Sequence, residues 1–255
     1  MNAAQFIDYT ERLRTSLESR DEVVGLVALG STADSTFWDE WSDHDFWVIT
    51  KPGAQDALVE DLSWLPEYQN IAILITHRPH GRTMLFRNRH KVEFAVFDVD
   101  ELRSAKVERY RVLIDRDQIA ELIKTVHEES LKQARTRSET LENLCLLLWS
   151  ACERHYRGEL LSARQYLDAF AVNQLLSLLS DSEPGDARKD ALDPRRRLEM
   201  RSPRLASELS ATLNNPVPEA ALLLLQLVER ELKSRTPALA WDKVDMVRGW
   251  IAEQK

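Results

Sequence analysis

The amino-acid sequence predicts an α+β segment with an all-α segment behind it. Three observations carry that reading. Short apolar, β-branched runs punctuate residues 1–117 and then cease. From Ile119 onward the apolar spacing is almost purely helical. Between two of the early runs stand a Gly-Ser step, Gly30-Ser31, and, twelve positions after Ser31, the triplet Asp43-His44-Asp45. At 255 residues there is room for one large domain or two small ones. The change of character divides the chain into 1–117, a mixed sheet flanked by helices, and 118–255, a helical bundle.

Residues 2–20 read as a helix with Phe6, Tyr9, Leu13 and Leu17 on one face. Val23–Leu29 is a strand by length and branched content, and Thr32–Trp38 a short helix or turn. Asp43–Thr50 is the second strand, stopped by Lys51-Pro52-Gly53. Gln55–Leu65 is helical, with Leu58, Leu62 and Leu65 aligned, and Asn70–Thr76 is a third strand. Arg82–Arg87 and Lys91–Val99 form a hairpin around Asn88-Arg89-His90. Asp100–Lys106 is helical and Arg111–Asp115 is a last short strand. Helices then follow at 119–134, 138–157, 160–179, 203–213, 218–234 and 241–252, with a polar loop at 182–194. Pro203 and Pro218 suit first-turn positions.

Composition narrows the function. Charged residues are 30% and hydrophobic residues 44% of the chain, the balance of an ordinary soluble domain. No apolar run approaches the roughly 20 residues of a membrane helix. The start reads as a charged amphipathic helix rather than a signal peptide, which points to the cytoplasm. Cys145 and Cys152, seven apart on one helical face, read as buried thiols. The net charge of −8 is uneven: Asp and Glu outnumber Lys and Arg by 21 to 14 over residues 1–117, but only by 21 to 20 over the rest. A nucleic-acid binder shows the opposite balance. An acidic cleft suits a small cationic substrate.

The chemistry concentrates in residues 23–50. Alternation along a strand puts Asp43 and Asp45 on one face and His44 on the other. Two carboxylates so close repel, and a hard divalent cation relieves the repulsion; Mg²⁺ takes one or two carboxylates plus substrate phosphates. Gly30 lets backbone approach a ligand. The hydroxyls of Ser31 and Thr32 suit phosphate oxygens, a role compatible with capping a helix. Glu93, on a strand face with Lys91, Ala95 and Phe97, supplies a third carboxylate, to hold metal or deprotonate an acceptor; Asp98 and Glu101 are its alternates. His44 reads as structural support. Trp38 and Trp41 could stack on a base or pack internally. Arg154, Arg157 and Arg164 around Gly158, and Arg195-Arg196-Arg197, are candidate triphosphate contacts.

The set Gly30-Ser31, Asp43-x-Asp45 and Glu93 resembles the nucleotidyltransferase superfamily of the DNA polymerase β type. Within it the chain is similar to the antibiotic nucleotidyltransferases that act on aminoglycosides and lincosamides. VEFAVFDVDEL resembles their third-carboxylate strand, and ACERHYRGELLSARQYL their helical region, where a basic residue follows a Gly. The resemblance implies an N-terminal nucleotidyltransferase fold followed by a helical domain. It implies metal bound by Asp43 and Asp45, with Glu93 as third metal ligand or general base, and nucleotide held by Gly30, Ser31, Thr32 and Arg164. It also implies Mg²⁺ as cofactor, ATP or another NTP as co-substrate, and transfer of a nucleoside monophosphate to a hydroxyl of a small acceptor with release of pyrophosphate. An acceptor site between the domains, and either a monomer or a homodimer, would fit. Three other readings stand beside it: a nucleotidyltransferase modifying protein or RNA, a non-catalytic nucleotide-binding module of the same fold, and a haloacid-dehalogenase-type phosphatase. In the phosphatase the Asp-x-Asp pair follows its apolar strand, whereas here it precedes Phe46–Ile49.

Overall fold

The computed structural model describes residues 1–34, 36, 38–77, 79–130, 132, 135–180 and 193–254. The chain divides into two compact units, Met1–Lys132 and Gln133–Lys255. Most of the expected loop at 182–194, and the end of the helix expected to reach residue 134, lie outside the described residues.

The first unit is built on a mixed six-stranded sheet: β1 (Val23–Leu29), β2 (His44–Thr50), β3 (Ile71–His77), β4 (Gly81–Phe86), β5 (Lys91–Asp98) and β6 (Tyr110–Asp115). Their order is β3-β4-β5-β2-β1-β6. The β2–β5 pair is parallel, and the other neighbouring pairs are antiparallel. Helix α1 (Ala3–Glu18) starts with a capping box: Asn2 Oδ1 accepts from the Gln5 N–H and Gln5 Oε1 accepts from the Asn2 N–H. Its residues Phe6, Tyr9, Leu13 and Leu17 recur every three or four positions and are buried. Tyr9, Leu13 and Leu17 pack with Phe46, Val48, Val92, Phe94 and Val96 from one sheet face. The other face packs Val24, Val27 and Ile49 against Leu102 and α5 (Ile119–Ser130).

Because Ile119, Ile123 and Val126 complete that second layer, α5 belongs with the sheet unit, although the change of periodicity at residue 118 assigns it to the helical part. Gly25 makes the approach possible: a Cβ there would sit 2.9 Å from Ile119 Cγ2. Helices α2 (Gly30–Ala33), α3 (Gln55–Glu60) and α4 (Val99–Leu102) are short. The helix expected to run to Leu65 stops at Glu60. Asp61 closes a turn on Ser63 through both its N–H and its hydroxyl, and Trp64 Nε1 donates back to the Leu58 carbonyl.

The second unit is all helical in its described residues: α6 (Arg137–Tyr156), α7 (Leu160–Arg164), α8 (Val172–Ser180), α9 (Leu198–Arg201), α10 (Pro203–Leu213), α11 (Val217–Leu232) and α12 (Trp241–Glu253). Its core gathers Leu144, Leu148, Leu167, Leu175, Leu224 and Val228. The run expected as one helix over 160–179 instead contains a π-helical stretch at Gln165–Ala171. Cys145 and Cys152 are buried free thiols, with pKa values pushed up by burial to about 11 and about 12.

Candidate active site

The site forms at one end of the sheet. Antiparallel pairing of β1 with β2 sets Ala28 opposite Phe46, so the chain leaving β1 turns beside the start of β2. At that turn Gly30 has φ +51, a left-handed conformation that Gly adopts without the cost of a Cβ, and nothing lies within 4 Å of where a Cβ would stand. Ser31 and Thr32 follow in the single turn of α2 and are buried. Thr32 Oγ1 accepts from the Asp45 N–H at 3.0 Å and donates to the Asp43 carbonyl at 3.4 Å. Its hydroxyl thus ties the Gly-Ser turn to the Asp-x-Asp strand. Arg111, at the start of β6, donates to the Thr32 carbonyl at 3.2 Å from the other side.

Parallel pairing of β2 with β5 then sets Asp45 level with Glu93 and His44 level with Val92. Register partners project to the same face, so Asp43, Asp45, Lys91 and Glu93 share one. On it Lys91 Nζ lies 3.0 Å from Asp43 Oδ2 and 2.9 Å from Glu93 Oε2. Hydrogen bonding to Glu93, and then to Asp43, raises the lysine's pKa, so the ammonium is charged across the neutral range. Two carboxylates, one just before β2 and one in β5, therefore converge on one positive charge.

That arrangement bears on whether a metal ion fits. Among the described residues no three His, Cys, Asp or Glu side chains are gathered closely enough to hold a metal ion between them. What the site offers is hard oxygen donors already drawn to a single cation, with Asp45 beside them on the same face. This chemistry suits Mg²⁺, which keeps several positions for water or substrate phosphate.

The opposite face of the same strands is locked and uncharged. His44 is fully buried and stacks on Phe6 with ring centroids 3.8 Å apart. Its Nε2 lies 3.0 Å from Thr10 Oγ1 and 3.2 Å from the Phe6 carbonyl, and its Nδ1 lies 2.8 Å from His90 Nε2. A carbonyl only accepts, so Nε2 of His44 carries the proton. Nδ1 then accepts, and His90 Nε2 donates to it. Burial lowers the pKa of His44 to about 3, and burial likewise lowers that of His90 to about 4. This bears out the structural reading of His44.

The remaining candidates are placed as follows. Asp98 and Glu101 form the capping box of α4 and share the Gln55 amide. They sit at the far end of β5, about 17 Å from Glu93 by strand rise, and so lie away from the Asp-x-Asp pair. Trp41 is exposed and helps to line a cavity of about 750 Å³ with Gln5, Asp8, Glu67 and Lys91. Trp38 packs edge-on to Phe6. Arg164 lies in the second unit, where Nε bonds Asp168 at 3.0 Å, and Nη1 and Nη2 cap the end of α10 at the Asn215 and Leu213 carbonyls. Arg154 stacks on Tyr166 and bonds its hydroxyl. Sequence reasoning placed Lys91 on the face of Glu93 but gave it no role, and passed over Arg111. Lys91 carried a signal: it precedes Glu93 by two residues on a strand and so shares its face.

Among curated protein sequences none gives a significant match. An aminoglycoside 6-adenyltransferase structure from Bacillus subtilis is similar at TM-score 0.39 and 11% identity, over 99% of this chain and 98% of that one. A nucleotidyltransferase-like protein from Exiguobacterium sibiricum 255-15 is similar at TM-score 0.35 and 12% identity, over 90% of this chain and 77% of that one. Likenesses at that level fix neither fold nor chemistry. The family model for streptomycin adenylyltransferase, by contrast, matches residues 12–181, well over half of the chain, and takes in Gly30, Asp43, Asp45, Glu93 and Arg164. The chain belongs to the streptomycin adenylyltransferase family, and is with it an adenylyltransferase enzyme of the antibiotic nucleotidyltransferase type.

Proposed function

We propose that the protein moves AMP from ATP to a hydroxyl of a small cationic acceptor of the aminoglycoside kind, with Mg²⁺ as cofactor and pyrophosphate as the second product. The observation that most supports this is the convergence of Asp43 and Glu93 on one cation, beside Asp45 and the Gly30-Ser31 turn. Asp43, Asp45 and Glu93, drawn closer together than they stand here, would hold Mg²⁺, which would neutralise charge on the phosphates. Ser31 would contact the outer phosphates, and Thr32 would hold the turn that presents it, its hydroxyl being engaged by the Asp45 N–H and the Asp43 carbonyl. For Arg164 to reach a phosphate it would first have to release the Leu213 or the Asn215 carbonyl. Glu93 is the more exposed of the paired carboxylates, 45% against 27% for Asp43, so an acceptor can reach it. The acceptor oxygen bonds to the α-phosphorus, the bond from that phosphorus to the α,β-bridging oxygen breaks, and Glu93 takes the hydroxyl proton. The excess of acid in residues 1–117 favours a cationic acceptor over RNA, and the cytoplasm would supply the ATP.

Pyrophosphate release from ATP and Mg²⁺ across a panel of aminoglycosides, streptomycin among them, and lincosamides tests this beside Asp45→Asn. Acceptor-dependent release, lost in the variant by at least about 10³-fold for a metal ligand, is expected. Equal release from Asp45→Asn would overturn the assignment. Labelled AMP appearing on protein or RNA, with no small acceptor active, would move the function to a macromolecular target.

A further inference from the structure

We propose that Lys91 is a resident counter-ion of the carboxylate site, exchanged for the divalent cation when the metal binds. The inference rests on the reading of Asp43, Asp45 and Glu93 as the metal site and adds to it an element of this chain. Lys91 is placed by β5 itself: two residues before Glu93, on the same face, and level with the start of β2 where Asp43 stands. Its Nζ bonds one carboxylate oxygen of Asp43 and one of Glu93, at 3.0 Å and 2.9 Å, so those two oxygens are at most about 6 Å apart.

Mg²⁺ binds oxygen at about 2.0–2.1 Å, so two oxygens sharing it lie no more than about 4 Å apart. The ammonium and the metal thus want the same place but different spacings. Both cannot be there: two positive charges within about 3 Å, flanked by the same two carboxylates, repel strongly. Lys91 is half-exposed on a flexible four-carbon stem and can swing to solvent, whereas the shorter carboxylate side chains are held close to the backbone, Glu93 within β5 and Asp43 one residue before β2. Without metal, the lysine holds Asp43 and Glu93 together against their mutual repulsion. With metal, it must leave, and the cost of releasing it is subtracted from metal affinity.

The test is Mn²⁺ binding, read by loss of the free-ion EPR signal, in the wild type, Lys91→Met, Lys91→Gln and Asp43→Asn, with and without α,β-methylene-ATP. Exchange predicts that both Lys91 variants bind Mn²⁺ at least about fivefold more tightly than the wild type without nucleotide, and that Asp43→Asn binds more weakly. A merely structural lysine would give the opposite sign, because its loss would splay the carboxylates. Unchanged or weaker binding in both Lys91 variants, with Asp43→Asn weaker still, would overturn the exchange and leave the metal site standing. No Mn²⁺ binding by any of the proteins, with or without nucleotide, would remove the metal site and the exchange together. Lys91→Gln keeps the comparison decisive if Lys91→Met fails to fold.

Discussion

The two faces of β2 differ sharply in charge and burial. Residues 43, 44 and 45 are consecutive, yet they serve opposite ends. Asp43 and Asp45 face a half-open site with Lys91 and Glu93, where charge is gathered. His44 faces a closed wall of Phe6, Tyr9 and His90, where charge is excluded. A strand separates the two within one residue because its side chains alternate. Chemistry needs solvent and exchangeable partners. The backbone beneath it needs a fixed position, which the buried wall supplies.

The contrast is broken most severely from the front. Glu93→Gln keeps the shape of the side chain but cannot take a proton. Adenylyl transfer should fall by about 10²–10⁴-fold, the usual contribution of a general base. Glu93 is half-exposed and pairs with Lys91, so the urea midpoint should barely move. A loss of transfer matched by a loss of folded protein would mean that the two faces are not separable.

From the back, His44→Ala should do the reverse. The ring is fully buried, stacked at 3.8 Å and hydrogen-bonded through both nitrogens. Removing it leaves a cavity and strands the His90 donor. The expected loss is about 3 kcal/mol of unfolding free energy. Transfer per folded molecule should fall far less than in Glu93→Gln. Urea denaturation read beside activity checks both, and a loss under about 1 kcal/mol would show that the wall does not hold the strand.

Much of this was legible in the sequence because its signals are local. Length and β-branched content announced the first two strands, and alternation put Asp43 and Asp45 on one face and Glu93 on a face with Lys91, while the spacing of Phe6, Tyr9, Leu13 and Leu17 announced α1 and its buried side. What escaped depends on pairing across long stretches of chain. That Lys91 reaches Asp43 follows from the parallel register of β2 and β5, and no spacing rule supplies it. The His44–His90 contact likewise joins a strand to a distant hairpin turn. Arg164 shows the converse: next to a promising Gly158, it proved to be engaged by the carbonyls that end α10. The place of α5 was hidden because a helix packing on a sheet and one packing in a bundle show the same period.

The gentlest way to sharpen the comparison is pH. In the unfolded chain both histidines titrate near 6.5. Folded, His44 titrates near about 3 and His90 near about 4, because burial disfavours the charged ring. Above pH 6.5 both rings are neutral in both states, and the pair adds no slope. As pH falls from 6.5 towards 4, the unfolded chain takes up protons that the folded wall refuses, so unfolding becomes easier. Each ring contributes at most about 1.4 kcal/mol per pH unit in that window. His90→Gln removes one titrating ring while keeping an N–H that can donate to His44 Nδ1. Unfolding free energies from urea melts at pH 7, 6 and 5 should therefore fall more steeply in the wild type than in His90→Gln, by up to that amount per unit. The two proteins are otherwise identical, so every other contribution cancels in the difference. Parallel lines for the two proteins would mean that the wall accepts a proton when folded, and that the division between a charged front and a neutral back does not hold in solution.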